Sequence, residues 1–268
     1  MISAIISSLG GDLSDTLDSL NSGSLVPDEI IICLPNEKHS VDNLLKYTNV
    51  SVIYSGKYGQ VYQRICGFKD AKGDYILQID DDIIISFDCL EILMSSMIND
   101  KGKVAVSPCW FNIDNSKPLH QSKRSGILMS LYYWLLNGVK GFSPGKVSLS
   151  GANFGVNPKE VCGEIISVDW QPGGCVLHNK RNLILENYYP YKGKAYSEDL
   201  MHSYLLKQSG VSLTVNMKAI CMTHLNPRLS IRGEIVSDFK AKWYFVKLAN
   251  LSILRMVIYY AIYIVRAL

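Results

Sequence analysis

The chain has 268 residues, 48% of them hydrophobic, which suffices for one large domain with a substantial core or for two small domains. Its formal net charge is +3, and it has no long Lys/Arg block or zinc-finger spacing, which argues against nucleic acid as the main partner. Seven scattered cysteines without a CxxC pair suit reduced thiols in a cytosolic compartment rather than a disulfide framework.

The first hundred residues alternate between short apolar runs and polar connectors. The opening residues lack the basic and long apolar regions of a secretory signal and predict a strand instead. Four β-strands are predicted: Ile2–Ser7, Glu29–Leu34, Val50–Tyr54 and Tyr75–Ile79. The connectors of helical length between them are Asp12–Asn21, His39–Tyr47 and Gln60–Ala71.

Strands that are apolar throughout are typical of a parallel sheet covered by helices on both faces. The alternation therefore predicts an α/β fold with a doubly wound, mostly parallel sheet whose ligands bind outside the carboxyl ends of the strands. Three consecutive acids, Asp80, Asp81 and Asp82, follow the fourth strand and fall at such an end.

The pattern loosens after a further predicted strand, Val104–Pro108. Residues 125–138 form an apolar helix candidate that is hydrophobic nearly all round, so we expect it to be buried or to face another apolar surface. Residues 197–210 predict a helix capped by Ser197 and ended by Gly210. The strand Val211–Ile220 follows.

The last residues, from Lys240, are basic, aromatic and strongly apolar. The longest uncharged stretch, Met256–Val265, is short of the roughly 20 apolar residues of a spanning helix. Lys240, Lys242 and Lys247, interleaved with aromatic residues, favour an amphipathic segment on a membrane surface. The alternatives are a terminal helix packed on the domain's own core or on a second copy of the chain, as in a homodimer, and a true span.

The aspartate triplet has two explanations. It can be a solvated acidic turn, or it can be a site for a hard divalent cation, which binds one or two carboxylates together with substrate phosphate oxygens. Asp80 and Asp82, two residues apart, can reach one ion or its water shell, whereas Asp81 points elsewhere. The position after a buried strand favours the metal site.

The segment Gly59–Ile83, GQVYQRICGFKDAKGDYILQIDDDI, resembles the family 2 glycosyltransferases of the GT-A fold, with their metal-binding DxD motif. Glycines 173–174 and the acids 198–199 resemble the acceptor half of that family. The resemblance covers residues 1–225, as a nucleotide-sugar-binding half, 1–108, and an acceptor-binding half, 109–225. Residues 226–268 form the C-terminal amphipathic tail.

The resemblance implies a nucleotide-diphospho-sugar donor, Mn²⁺ or Mg²⁺, and inversion at the anomeric carbon. It makes Asp82 a metal ligand and places Asp80 near the ribose or in the metal shell. The residues that it assigns to the donor are Ser7, Arg64, Asp80 and Asp81. An ion pair on the protein surface or within its helix is the structural alternative for Arg64.

Two acids open the predicted helix at 197–210. By the resemblance Asp199 is the general base that removes the proton from the acceptor hydroxyl, and Glu198 supports it. The alternative is that both acids only interact favourably with the helix dipole in the first turn.

Four further residues have both a functional and a structural interpretation. His224 can be a third metal ligand, a diphosphate contact or an ordinary loop residue. Trp170 can be a platform for the acceptor sugar or a core side chain. Gly173 and Gly174 allow close backbone approach or positive φ near the acceptor, or form a plain turn.

The chain departs from the family after its second strand. Many members have acids there that contact the base, whereas Cys33–Lys38 holds only Glu37, so UDP is the default nucleotide. We expect an inverting glycosyltransferase that acts on a cell-surface glycan or lipid-linked precursor at the cytoplasmic face of the plasma membrane. The alternatives are a Mg²⁺-dependent nucleotidyltransferase and a non-catalytic scaffold that binds a partner through its C-terminus.

Overall fold

The computed structural model describes residues 1–99, 103–120, 122–224 and 234–267. The boundary predicted at 225/226 lies outside these residues. The strands are Ile2–Ser7 (β1), Glu29–Leu34 (β2), Val50–Tyr54 (β3), Tyr75–Asp80 (β4), Ile84–Ile85 (β5), Val104–Asn112 (β6), Ile165–Ser167 (β7), Cys175–Asn179 (β8) and Ser212–Thr223 (β9). The α-helices are Ser14–Asn21 (α1), Gln60–Asp70 (α2), Cys89–Asn99 (α3), Ile127–Asn137 (α4), Glu198–Gln208 (α5), Glu234–Leu248 (α6) and Ile253–Ala267 (α7).

All the strands described belong to one sheet in the order β3-β2-β1-β4-β8-β6-β9-β5, with β7 beside β9. The first four, β3-β2-β1-β4, are parallel, as predicted for the N-terminal half. In the second half β8 is antiparallel to both β4 and β6, while β6 and β9 run parallel. The sheet is therefore mixed beyond β4, and the first half supplies the parallel edge where the acids lie.

Both faces of β1, β2 and β4 are buried, because the side chains of each strand alternate between two apolar layers, whereas the edge strand β3 is partly exposed. Ala4 and Ile6 pack with α1 and α3 on one face, whereas Ile5 packs with α2 and the C-terminal helices on the other. This alternation explains why the strands have continuous apolar sequences.

The observed bounds of β1, β2 and β3 are those predicted, but one predicted helical connector is wrong. Residues 39–47 contain only the short 3₁₀ turn Leu44–Lys46 instead of a helix. That segment closes against the first loop through the Gly11–Val41 bridge, so tertiary contacts replace helical hydrogen bonds.

The C-terminal segment consists of two helices. Among the residues described, no helix is both long and apolar enough to cross a membrane. In α6 the side chains of Lys242 and Phe245 are buried against the domain, so the expectation that they lie among lipid headgroups is wrong. This half of the predicted tail packs on the chain's own core.

Helix α2 lies unusually close to β1. A Cβ atom added at Gly67 would lie 2.4 Å from Cγ2 of Ile5, far inside van der Waals contact. This close approach holds α2 against the sheet one turn after Arg64, and so fixes where the Arg64 side chain meets the end of β4.

We expect Gly67→Ala to lower the free energy of unfolding by about 1–3 kcal/mol, because overpacking outweighs the gain in helix propensity. Chemical denaturation measures the change. Lys69→Ala, on the exposed face of the same helix, is the matched control and should be nearly neutral; equal stability of the two variants would contradict the close packing.

Candidate active site

A buried guanidinium joins the end of β4 to the start of α5. Arg64, only 2% exposed, donates from Nη2 to Oδ1 of Asp80 at 3.0 Å and from Nη1 to Oε1 of Glu198 at 2.9 Å. Neither interpretation offered for Arg64 by the sequence, a donor contact or an ion pair on the surface or within its helix, includes this bridge. Arg64 instead holds the first aspartate of the triplet beside the helix that carries the candidate base.

The charges in this cluster shift one another's ionisation. Burial raises the pKa of Asp80 to about 6, against the opposing pull of Arg64 and with further increases from Glu198 and Asp82. Burial disfavours the charged guanidinium of Arg64, but Glu198 and Asp80 raise its pKa, so it stays a cation. Gln60 adds hydrogen bonds from Nε2 to both Asp80 oxygens at 3.3 Å.

Asp81 turns away from Asp80 and Asp82, as its place between them predicted. Its carboxylate accepts a 2.5 Å hydrogen bond from the Ser8 hydroxyl, and its carbonyl accepts one from Thr16 at 3.0 Å. It therefore ties the end of β4 to the loop after β1 and to α1. Its predicted contact with the donor stays a prediction.

Asp82 and His224 line one open cleft of about 210 Å³ beside the N-terminus of α1. Asp82 is exposed and accepts a 3.3 Å hydrogen bond from Thr223 at the end of β9. The Nδ1 atom of His224 lies 3.0 Å from Oδ1 of Asp114. The cleft is the part of the site that is open enough for a phosphate-bearing ligand.

The cleft provides a partial donor set for a divalent cation. Among the residues described, no three His, Cys, Asp or Glu side chains converge to hold an ion by themselves. Mn²⁺ or Mg²⁺ needs only one or two protein ligands when phosphate oxygens supply the rest. Asp82 and His224 fit that pattern, whereas Asp80 already accepts from Arg64 and Gln60.

Glu198 and Asp199 are neighbours with different surroundings. Glu198 is buried and accepts from Arg64 and, at 3.0 Å, from the Tyr188 hydroxyl, which suits a supporting residue. Asp199 is half-buried, and burial, followed by the charge of Glu198, raises its pKa to about 7, while Lys242 of α6 lowers it. A carboxylate with a pKa near neutrality is suited to accept a proton.

One detail of the site differs from the prediction, and another decides between two alternatives. Ser197 has a left-handed backbone, φ 54°, and in the described structure its side chain makes no capping hydrogen bond. Trp170 is only 6% exposed, and its indole N–H donates to the Phe154 carbonyl at 3.0 Å. A ring placed in this way is a core side chain, which does not offer an open face to a sugar.

Gly173 and Gly174 form the wall between Glu198 and Asp80. Neither glycine has a positive φ, and each instead allows close approach of its backbone to a neighbouring acid. A Cβ atom at Gly173 would lie 2.5 Å from Oε1 of Glu198, and one at Gly174 would lie 3.0 Å from Oδ2 of Asp80. The Gly174 carbonyl also accepts from the Asp80 backbone N–H at 2.9 Å.

Ser7 ends β1 directly beside Asp80, its partner in the register of β1 and β4. Its hydroxyl is buried and lacks a hydrogen-bond partner among the residues described. The predicted donor contact of Ser7 stays a prediction.

Sequence reasoning missed Tyr188 and Lys242. Tyr188 holds Glu198 and stacks on the ring of His202 in α5, with centroids 5.5 Å apart. Lys242 is the buried cation that acts on Asp199. Tyr188 acts from the loop ten residues before Glu198 and Lys242 from the C-terminal helix α6, and neither has a local pattern in the sequence that signals this role.

We expect Arg64→Met to lower the free energy of unfolding by about 3–5 kcal/mol at pH 7, because two buried carboxylates lose their counter-charge. Arg64 lowers the pKa of Asp80, so without the guanidinium this pKa rises, the folded state takes up a proton more readily, and the deficit shrinks as the pH falls.

The double variant Arg64→Met/Glu198→Gln is the control for Arg64→Met. It should recover part of the loss in urea unfolding, since one unpaired charge is gone. A deficit that is the same at pH 5 and pH 8 would contradict the charge bridge.

The sequence profile described as glycosyl transferase family 2 matches residues 10–152, which is more than half of the chain and includes Arg64 and the aspartate triplet. No curated protein matches the sequence significantly.

Solved structures share the fold. GalNAc-T7, solved with UDP, GalNAc and Mn²⁺, superposes with a TM-score of 0.64 at 16% identity, over 92% of this chain and 47% of its own. TarS of S. aureus gives 0.52 at 14% identity, over 92% and 39%. Its 1–349 form with UDP-GlcNAc gives 0.51 at 15%, over 94% and 67%. This chain thus spans less than half of GalNAc-T7 and of the longer TarS chain, and at such identities the likeness concerns the fold. By its sequence profile, the chain belongs to glycosyl transferase family 2.

Proposed function

We propose that this chain transfers a sugar from a nucleotide-diphospho-sugar, UDP-linked by default, to a hydroxyl group of its acceptor, with inversion at the anomeric carbon. The observation that carries the proposal is the Arg64 bridge. It joins Asp80, which is two residues before the cleft residue Asp82, to Glu198 at the start of the helix that also contains Asp199. Residues 1–108 would bind the donor and residues 109–225 the acceptor.

In the proposed reaction Asp199 takes the proton of the acceptor hydroxyl. The acceptor oxygen then forms its bond to the anomeric carbon as the bond from that carbon to the diphosphate oxygen breaks, and the electron pair leaves with the nucleoside diphosphate. Glu198 is held by Arg64 and Tyr188, so it positions the helix start instead of competing for the proton.

A divalent cation, Mn²⁺ or Mg²⁺, held by Asp82 with His224 would neutralise the charge of the departing diphosphate. GalNAc-T7, which shares the fold, was solved with UDP and Mn²⁺, and TarS with UDP-GlcNAc, which supports a metal and a UDP-sugar. Ser7, Asp80 and Asp81 surround the same sheet edge and are assigned to the donor.

The acceptor in this proposal is a cell-surface glycan or a lipid-linked precursor, and the place of action is the inner face of the plasma membrane. Support comes from the C-terminal helices, since Lys242 of α6 acts on Asp199 while α7 packs beside α6. The candidate base is thus linked through α6 to the apolar helix α7.

We expect Asp82→Asn to reduce turnover of a UDP-sugar with Mn²⁺ by at least about 100-fold, because a metal ligand is lost. EDTA should reduce wild-type turnover similarly, and excess Mn²⁺ should restore it. Asp70→Asn, an exposed acid at the end of α2, is the control. Full turnover in EDTA would contradict the metal site, and turnover of no nucleotide sugar would favour the nucleotidyltransferase or scaffold.

We expect kcat/KM for transfer to rise about tenfold per pH unit up to pH about 7 and then to level off, because only the ionised Asp199 accepts the proton. Asp199→Asn should remove this limb and lower kcat by about 10²–10⁴-fold. Steady-state pH profiles measure both effects.

Lys242→Met provides a matched test of the same assignment. Lys242 lowers the pKa of Asp199, so its loss should move the limb to higher pH without removing it.

Unchanged activity in Asp199→Asn would exclude Asp199 as the base.

A further inference from the structure

Helix α4 is apolar on the side that it exposes. Tyr133 and Leu136 face the domain, whereas Ile127 is 90% exposed and Leu128 81%. Leu131 and Trp134 continue the same exposed face at helical spacing. The sequence predicted a helix that is buried or faces an apolar surface, and the structure buries only one side of it.

Helix α7 also exposes apolar side chains where polar ones are expected. Met256 and Tyr260 are buried, and the stripe exposed to solvent consists of Leu254, Val257 and their apolar neighbours at one-turn spacing: Ala261, Ile264 and Val265. A helix that lies against a soluble domain normally exposes polar side chains on this stripe. Within the described part of α7, all five of these exposed positions are apolar.

The two apolar stripes belong to one surface. Helices α4 and α7 pack together, and Nη1 of Arg255 donates to the carbonyls of Trp134 and Leu135 at 2.7 and 2.8 Å. Its guanidinium also lies over the Trp134 ring, 5.7 Å from the centroid. We call the exposed side chains that flank this contact the α4–α7 surface; they are Ile127, Leu128, Leu131, Trp134, Leu254 and Val257.

The two sequence segments that contain α4 and α7 carry charges of one sign. Residues 115–159 and 239–268, which contain α4 and α7, have no Asp or Glu, yet they contain eleven Lys and Arg: 117, 123, 124, 140, 146, 159, 240, 242, 247, 255 and 266. Asp238 precedes the second segment, and its carboxylate accepts a hydrogen bond from the buried Tyr260 hydroxyl at 2.6 Å. An apolar face with basic surroundings complements an anionic lipid surface.

We propose that the α4–α7 surface docks this protein on an anionic membrane, with α4 and α7 lying in the headgroup region and the chain remaining on one side. The inference rests on the membrane location proposed above. It assigns the contact with lipid to α4 and α7 rather than to the basic residues of α6. Exposed apolar patches of this kind mark lipid or protein contacts. Glu160, which accepts from the Lys123 backbone N–H at 2.6 Å, and Asp169, which pairs with Lys146 at 3.3 Å, lie outside the two segments, and the excess of basic residues within the segments favours lipid.

The test is flotation of the full chain with vesicles of phosphatidylcholine, with and without phosphatidylglycerol. We expect binding to the anionic vesicles that weakens with salt, and a loss of roughly tenfold or more in Leu128→Gln/Leu131→Gln or in Leu254→Gln. Leu45→Gln, an exposed leucine in the turn after β2, is the matched control and should bind like wild type.

Three results would overturn the proposal: wild type that stays unbound at low salt, wild type that binds neutral and anionic vesicles equally, or α4 and α7 variants that bind as tightly as wild type. A dimer in sedimentation that Leu128→Gln/Leu131→Gln dissociates would instead assign the surface to a second copy of the chain. UDP-sugar hydrolysis by wild type, measured in the same preparations, separates failure of the docking proposal from failure of the transferase proposal. Vesicle binding without any hydrolysis would contradict only the transferase.

Discussion

The ion bridge of Arg64 is the constraint on which the rest of the site depends. Its two partners lie 16 and 134 residues away in the chain, so one side chain fixes the end of β4 relative to the start of α5. A buried cation is tolerable only when counter-charges are in place, and here two carboxylates supply them to Nη1 and Nη2, while Nε has no hydrogen-bond partner among the residues described. The close packing of α2 on β1 at Gly67 keeps the guanidinium at the junction.

This bridge also explains how adjacent acids differ in their surroundings. Glu198 spends both oxygens on Arg64 and Tyr188, whereas Asp199, one residue later, faces a different side and keeps a pKa of about 7. Asp80 and Asp82 divide in a similar way, since Asp80 joins the buried network and Asp82 opens into the cleft. The fold thus separates carboxylates engaged in the buried network from Asp82, which lines the open cleft.

Much of the fold follows from local sequence because the parallel strands are buried on both faces. Continuous apolar runs such as Ile2–Ser7 therefore coincide with observed strands. The aspartate triplet could be placed at the ligand edge for the same reason. The Arg64 bridge and the role of Lys242 could not be predicted, because their partners are set by the packing of distant segments. Trp170 was ambiguous, since an aromatic side chain suits a core and a sugar platform equally well.

The glycine pair between the two acids has an evolutionary consequence. A larger residue at Gly173 would press on the Glu198 carboxylate, and one at Gly174 would press on the Trp110 ring and the Asp80 carboxylate, so either change would disturb the network. Lineages that acquire new acceptors therefore have to diversify elsewhere, in loops that do not contact these acids. We expect this part of the wall to stay invariant while its surroundings drift, so that the same network is inherited by descendants with different sugars.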